Sequence, residues 1–268
     1  MHGYNRMPEE MRTDTTILDE AFIKVEGVYK RFSQIEVVSN VSMNIEKGRI
    51  LGIMGSDGAG KSTLLRMMAT MIRPSSGRIF IGDLDVISQR KKIKTMIGYM
   101  PQRFGLYQDL TVGENFDFFM DIFGISAADR DGMRTFYLGF SELLPFLDRL
   151  TADLSGGMKQ KLALACVLVH KPKVLILDEP TNGVDPVSRM EFWEMLFQMK
   201  KQGMTIIVST VYLDELELCD KIAIMHNSKL VALDTPNGIK SQFSNLEEAI
   251  VHLIHGVDDE LIHRGFKF

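Results

Sequence analysis

An α/β domain with a helical insertion is the fold class this chain predicts, and three observations carry it. The glycine-rich stretch GSDGAGKST lies between an apolar strand pattern, ILGIM, and a helical pattern, LLRMMATMI. VLILD at 174–178 is an almost wholly apolar run, the signature of a parallel strand covered on both faces. Between these, residues of about 103–153 turn helical and aromatic-rich, with Phe116, Phe119, Met120 and Phe123 at i, i+3, i+4, i+7 spacing, the core stripe of a helix.

The elements follow in order. Residues 1–20 read as an extension, polar and carrying both signs of charge, without the apolar segment of a secretion signal. From Ala21, AFIKVEGVYKRF, EVVSNVSMNI and RILGIMG are β-rich, with the turn EKG separating the last two. LLRMMATMI is helical up to Arg73-Pro74, and GRIFIGDLDV is a second β patch. After the insertion the spacing predicts a helix over about 156–170, the strand VLILD and a helix over about 187–202. The strand TIIVS, a helix over about 212–218 and the strand KIAIM come next. HNS then turns a hairpin into KLVALD. The organisation expected is an extension (1–20), one domain (21–235) holding the insertion (103–153), and a helical tail (236–268).

The chain has 268 residues, 45% hydrophobic and 25% charged, which is ordinary globular composition. A net charge of −4 gives no basis for broad nucleic-acid binding. No apolar run approaches the roughly 18 residues of a membrane helix, so a membrane role requires a partner. Cys166 and Cys219 form no ligand pattern and sit in apolar helical contexts, which predicts buried free thiols. His170 is placed to meet a helix C-terminus. His252 and His255 share a helix face with no acid or Cys pattern around them.

The chemistry concentrates in two motifs. Gly55, Ser56, Asp57, Gly58, Ala59, Gly60, Lys61 and Ser62 match G-x-x-x-x-G-K-[ST] without a mismatch, and Thr63 follows. The glycines let the backbone wrap and turn its N–H groups toward an anion, and the next helix adds its dipole. Lys61 can reach the β- and γ-phosphates, and the Ser62 hydroxyl can ligate Mg²⁺. The apolar strand VLILD ends in two acids, placing Asp178 at the sheet edge beside this loop. One carboxylate can hold Mg²⁺, and Glu179 can act as general base on a water. ATP or GTP hydrolysis is the leading idea.

L154-S-G-G-M-K-Q160 supplies a second anion site, with Ser155 as N-cap and Gly156 and Gly157 leaving the helix start bare. One nucleotide does not need two such sites in one chain. A two-fold dimer resolves this, each chain offering its own loop and its partner's helix end to one γ-phosphate.

GSDGAGKST, YMPQ, LSGGMKQKL, VLILDEPTNGVDP and the spacing between them resemble the ATP-binding cassette (ABC) ATPase family over roughly residues 21–235. STVYLDELELCDKIAIM and LEEAIVHLI resemble the branch that energises type-2 drug and polysaccharide exporters. The resemblance implies a P-loop NTPase core, an antiparallel β subdomain and an inserted helical subdomain. It implies ATP and Mg²⁺, a second cassette chain (a homodimer first), an integral membrane permease, and a place on the cytoplasmic face of the membrane. A groove near 103–125 and Gln102 would receive the permease. By the same resemblance Lys61 and Ser62 bind phosphate and Mg²⁺, Gln102 senses Mg²⁺, Asp178 supports Mg²⁺ and Glu179 is the catalytic base. Ser155, Gly156 and Gly157 would contact the partner's nucleotide, and Asp185 would sit at the dimer interface. Phe32 stands where an aromatic stacks on adenine, the other reading being a core phenylalanine.

Two positions depart from the family pattern. Met158 replaces a common Gln, and Val211 stands where a histidine usually contacts the γ-phosphate. Three readings of Val211 stay open: hydrolysis with Glu179 and a water filling the gap, a slow nucleotide-gated clamp, or pairing with a different ATPase chain. A soluble ABC switch on ribosomes or DNA is the runner-up class, but two cassettes in one chain, a long coiled coil and a basic tail are all missing from the sequence.

Overall fold

Twelve-residue strands open the structure. β1 (Ala21–Phe32) and β2 (Ile35–Glu46) form an antiparallel hairpin whose turn puts Ser33 in the left-handed region. The computed structural model describes residues 21–263, with side chains through 256. β4 (Ser76–Ile81) pairs antiparallel on the free side of β1, and β5 (Leu84–Asp85) closes a four-stranded sheet ordered β2-β1-β4-β5.

The second sheet has six strands, β3 (Ile50–Gly55), β6 (Ile97–Met100), β7 (Val174–Asp178), β8 (Thr205–Ser209), β9 (Lys221–His226) and β10 (Lys229–Asp234). Their order is β10-β9-β3-β8-β7-β6, parallel throughout except for the β9-β10 hairpin. β7 and β8 are buried along their whole length, as their near-continuous apolar sequences require. Period-2 alternation divides β7 between two cores. Leu175 and Leu177 face a cluster built with helices α5 (Gly156–Leu168) and α6 (Pro186–Lys201), while Val174 and Ile176 face one shared with the four-stranded sheet and α1 (Lys61–Met68). The carboxyl ends of β3, β8 and β7, three adjacent strands, therefore open onto one crevice.

The insertion lies between β6 and α5. It contains α3 (Val112–Ile122) and α4 (Ala127–Phe140), with short 3₁₀ turns at Leu144–Phe146 and Thr151–Asp153. Helix was expected from residue 103, yet it begins at Val112. Thr111 caps it reciprocally with Glu114: the Glu114 N–H donates to Thr111 Oγ1 at 3.2 Å and the Thr111 N–H to Glu114 Oε2 at 2.8 Å. The preceding loop is tied by the buried Asn115, whose amide donates to Tyr107 O and Thr151 Oγ1 and accepts from Tyr107 N. Helix α2 (Arg90–Lys94) and the four-residue β6 were not expected, being too short for periodicity to register. α1 stops at Met68, short of the Arg73-Pro74 boundary. Thr70 turns left-handed there, and the Met71 N–H reaches back to Arg66 O at 2.9 Å, closing the helix as a glycine would.

His170 lies beyond the last residue of α5. Its Nε2 pairs with Ile97 O at 2.9 Å and its ring stacks on Phe123 with centroids 4.2 Å apart, joining β6, α3 and α5. Burial holds it below the usual histidine range. Cys166 and Cys219 are both buried free thiols, and burial pushes both upward in pKa. Chain α7 (Leu213–Leu216) follows β8, and α8 (Pro236–Ile239) and α9 (Leu246–His263) follow β10.

Candidate functional site

The loop after β3 closes because two glycines admit backbone where a side chain would collide. A Cβ on Gly55 would stand 2.0 Å from Met225 O, and one on Gly60 2.2 Å from Val37 O at φ +97°. Gly60 is the N-cap of α1 and no side chain caps that helix. Its first N–H groups and the positive end of its dipole are thus turned into a cavity of about 410 Å³. Asp57, Gly58, Ala59, Gly60, Lys61, Ser62 and Thr63 line this cavity, joined by Val37, Gln102, Glu179, Asn182 and Val211. Gly55 and Ser56 form the base of the loop, and their carbonyls accept the Lys61 ammonium at 2.7 and 3.1 Å. Lys61 is buried, and its ammonium is held against the loop by two carbonyl bonds that an anion can replace.

Strand register sets the acidic side. Asp178 on β7 is the direct neighbour of Ser209 on β8. Ser209 Oγ donates to Asp178 Oδ1 at 2.9 Å and accepts the Glu179 N–H at 2.9 Å. Ser62 Oγ donates to the same Asp178 Oδ1 at 3.0 Å. Asp178 Oδ2, buried, has no hydrogen-bond partner. A buried carboxylate oxygen left open beside a serine hydroxyl is the donor set a hard cation such as Mg²⁺ takes. Burial, reinforced by the Asp178 charge, holds the nearby Tyr99 phenol above its usual range.

Glu179 has φ +49°, a left-handed conformation that costs on the order of 1–3 kcal/mol for a residue with a side chain. Its N–H also meets Ser209 O at 3.2 Å. This backbone turn sends Asp178 inward and Glu179 into the cavity. Glu179 Oε2 accepts from Gln102 Nε2 at 2.8 Å and from Asn182 Nδ2 at 3.1 Å. Gln102 therefore contacts the candidate base here rather than the Asp178–Ser62 pair.

Other expected residues lie apart. Phe32 is 47% exposed, outside the cavity lining, with the Lys30 ammonium 4.7 Å over its ring. That removes the core alternative. Ser155 caps α5 by accepting from Met158 N at 3.2 Å, and Ser155, Gly156 and Gly157 do not line the cavity. Gly157 packs on α6, where its Cβ would stand 2.3 Å from Ser188 Oγ, whereas Gly156 faces open space. Asp185 caps α6 by accepting from Ser188 N at 3.0 Å, and those Ser188 bonds hold its carboxyl below the usual range.

Three site residues escaped sequence reasoning. Ser209 reads as the end of the apolar strand TIIVS, and Asn182 stands within VLILDEPTNGVDP with no role of its own. His226 Nδ1 lies 3.0 Å from Ser56 Oγ. The available signal was positional: a polar residue closing a buried parallel strand at the crevice edge.

The chain is similar to several known proteins. Residues 38–182 match the profile of the ABC transporter family. The chain is 42% identical over 252 residues to a probable multidrug ABC transporter ATP-binding protein, YbhF, of Escherichia coli strain K12, covering 93% of this chain and 43% of that one. It spans under half the length of that relative. It is 32% identical to the linearmycin resistance ATP-binding protein LnrL of Bacillus subtilis strain 168, covering 90% of this chain and 77% of that one. Among solved structures, a dimeric ATP-binding cassette in a post-hydrolysis state with ADP and Pi superposes with a TM-score of 0.71 at 26% identity, over 80% of this chain and 98% of that one.

Proposed function

The chain belongs to the ABC transporter family, and from that premise we propose that it binds and hydrolyses ATP to drive a membrane exporter. The observation that carries this reading is one crevice that joins an uncapped helix start, Lys61 and Glu179, with the buried, unpartnered Asp178 Oδ2 on the residue before Glu179. The β- and γ-phosphates lie against the N–H groups of residues 58–63, and Lys61 exchanges its two carbonyls for phosphate oxygens. Ser62 and Asp178 would hold Mg²⁺, and Gln102 lines the same cavity. The metal supplies neutralisation of the developing phosphate charge. Glu179, whose Oε1 has no hydrogen-bond partner among the described residues, receives the proton of the attacking water there. Phe32, exposed at the end of β1, stacks on the adenine once Lys30 moves aside.

The cassette works as a pair. Ser155, Gly156 and Gly157 present a second uncharged helix start, and Asp185 lies beside them through the Gly157–Ser188 contact. A second copy of the chain completes the pocket across a two-fold axis. No helix among the described residues is long and apolar enough to cross a membrane, so the exporter reading calls for a permease subunit, with the cassette on its cytoplasmic face. The names of the relatives, multidrug and linearmycin resistance, support export.

The test is Mg-ATP turnover by the purified chain against Glu179→Gln. Loss of about 10²–10⁴ in rate is expected. One observation favours a second reading, a slow nucleotide-gated clamp: Val211 lines the cavity without a donor. ATP-driven dimerisation without turnover would select it.

A further inference from the structure

We propose that Asn182 is a positioning residue for Glu179, holding it from the segment after β7 in a site where Val211, in the loop after β8, offers no side-chain donor. The inference rests on the hydrolysis reading above. Gln102, Asn182 and Val211, from three parts of the chain, line the cavity that holds Glu179, and the first two touch its carboxylate. Two are amides, and both donate to the same oxygen, Oε2, at 2.8 and 3.1 Å. That division matters. A carboxylate held by one oxygen keeps its rotamer while the other oxygen stays open to a proton, and small errors of placement cost large factors in rate.

The two donors are not equivalent. Gln102 lies 77 residues from Glu179, in a loop without regular structure that leads into the insertion. Its grip follows any movement of that insertion. Asn182 belongs to the same turn as Glu179, with its own N–H on Glu179 O at 3.3 Å. Its grip travels with the base. The Val211 loop is fastened to this turn as well: the Gly183 N–H meets the Tyr212 hydroxyl at 3.5 Å, and the Arg189 guanidinium stacks on the Tyr212 ring at 3.8 Å. Val211, the residue before Tyr212, lines the same cavity and carries no hydrogen-bond donor.

Asn182 is exposed, so Asn182→Ala leaves the core untouched. The experiment measures kcat and KM for Mg-ATP, and ATP affinity by calorimetry without metal, in the parent, Asn182→Ala, Val211→His and the double variant. Expected is a loss of about tenfold or more in kcat for Asn182→Ala, with KM and ATP affinity within about twofold, the pattern of an interaction used in the chemical step. Val211→His should raise kcat several-fold more in the Asn182→Ala background than in the parent, a coupling that a merely structural Asn182 would not produce. Unchanged kcat in Asn182→Ala, a loss carried by ATP affinity, or equal gains from Val211→His in both backgrounds would each overturn the proposal. A parent chain that binds ATP without turnover overturns the hydrolysis reading itself, and this inference with it.

Discussion

The start of α1 and the start of α5 both expose helix N–H groups on a glycine-rich turn, but they are finished differently. α1 has no side-chain cap, and a buried lysine, two carboxylates and a glutamine crowd its approach. α5 is capped by Ser155, and its glycines are divided between open space and a tight contact with α6. The first start collects charge, and the second offers shape and N–H groups alone. The chemical groups of this protein are therefore concentrated at one of its two anion-binding geometries, and the other contributes surface.

Substitutions can break that contrast, beginning with the largest effect. Lys61→Ala should lower turnover by about 10²–10³, the typical loss when one fixed donor to a developing anion is removed. Steady-state phosphate release checks it. At α5 the expected losses are in stability. Gly157→Ala forces a methyl to within 2.4 Å of Ser188 Cβ and should cost about 1–3 kcal/mol. Its neighbour is the control: a Cβ on Gly156 meets nothing within 4 Å, and Gly156→Ala should stabilise by about 0.4–1 kcal/mol. Urea unfolding followed by the single tryptophan, Trp193, buried on α6, reads both signs. If both variants destabilised equally, the division of labour between the two glycines would be wrong. Ser155→Ala should cost about 1 kcal/mol by loss of the cap.

The smallest effect is in pH. Asp185 has a depressed carboxyl in the folded chain because Ser188 hydrogen-bonds its charged form. Its contribution is fully present above the ordinary aspartate range and is lost as pH falls through the lower folded value. Asp185→Asn should flatten the fall in melting temperature below about pH 4. A parent and variant that lose stability in parallel would remove Asp185 from that limb.

The sequence was most readable where one physical constraint acted alone. VLILD and TIIVS had to be central strands, because only a sheet covered on both faces buries five successive residues. The glycine loop announced itself through positions that reject a Cβ. Legibility failed where two constraints competed. Apolar spacing carried LLRMMATMI past Met68, but a left-handed Thr70 ended the helix, and threonine gives no warning of that conformation. The segment from residue 103 reads as helical and aromatic-rich, while the capping pair Thr111–Glu114 sets the true start of the helix. In the site, Lys61, Ser62, Asp178 and Glu179 could be named from spacing. Ser209 could not, because its role depends on which strand lies beside which, and strand order is a property of the folded sheet.

Ser209 makes a single hydroxyl the common support of two neighbouring acids, giving its proton to Asp178 and its lone pair to the Glu179 backbone. Such an atom cannot be optimised for one client alone. An alanine there would loosen Asp178 and the Glu179 backbone together, and a threonine would have to fit one extra methyl in a position with no exposure. Natural variation or design has many surfaces of this protein to alter, but at this position any adjustment is made to both acids at once.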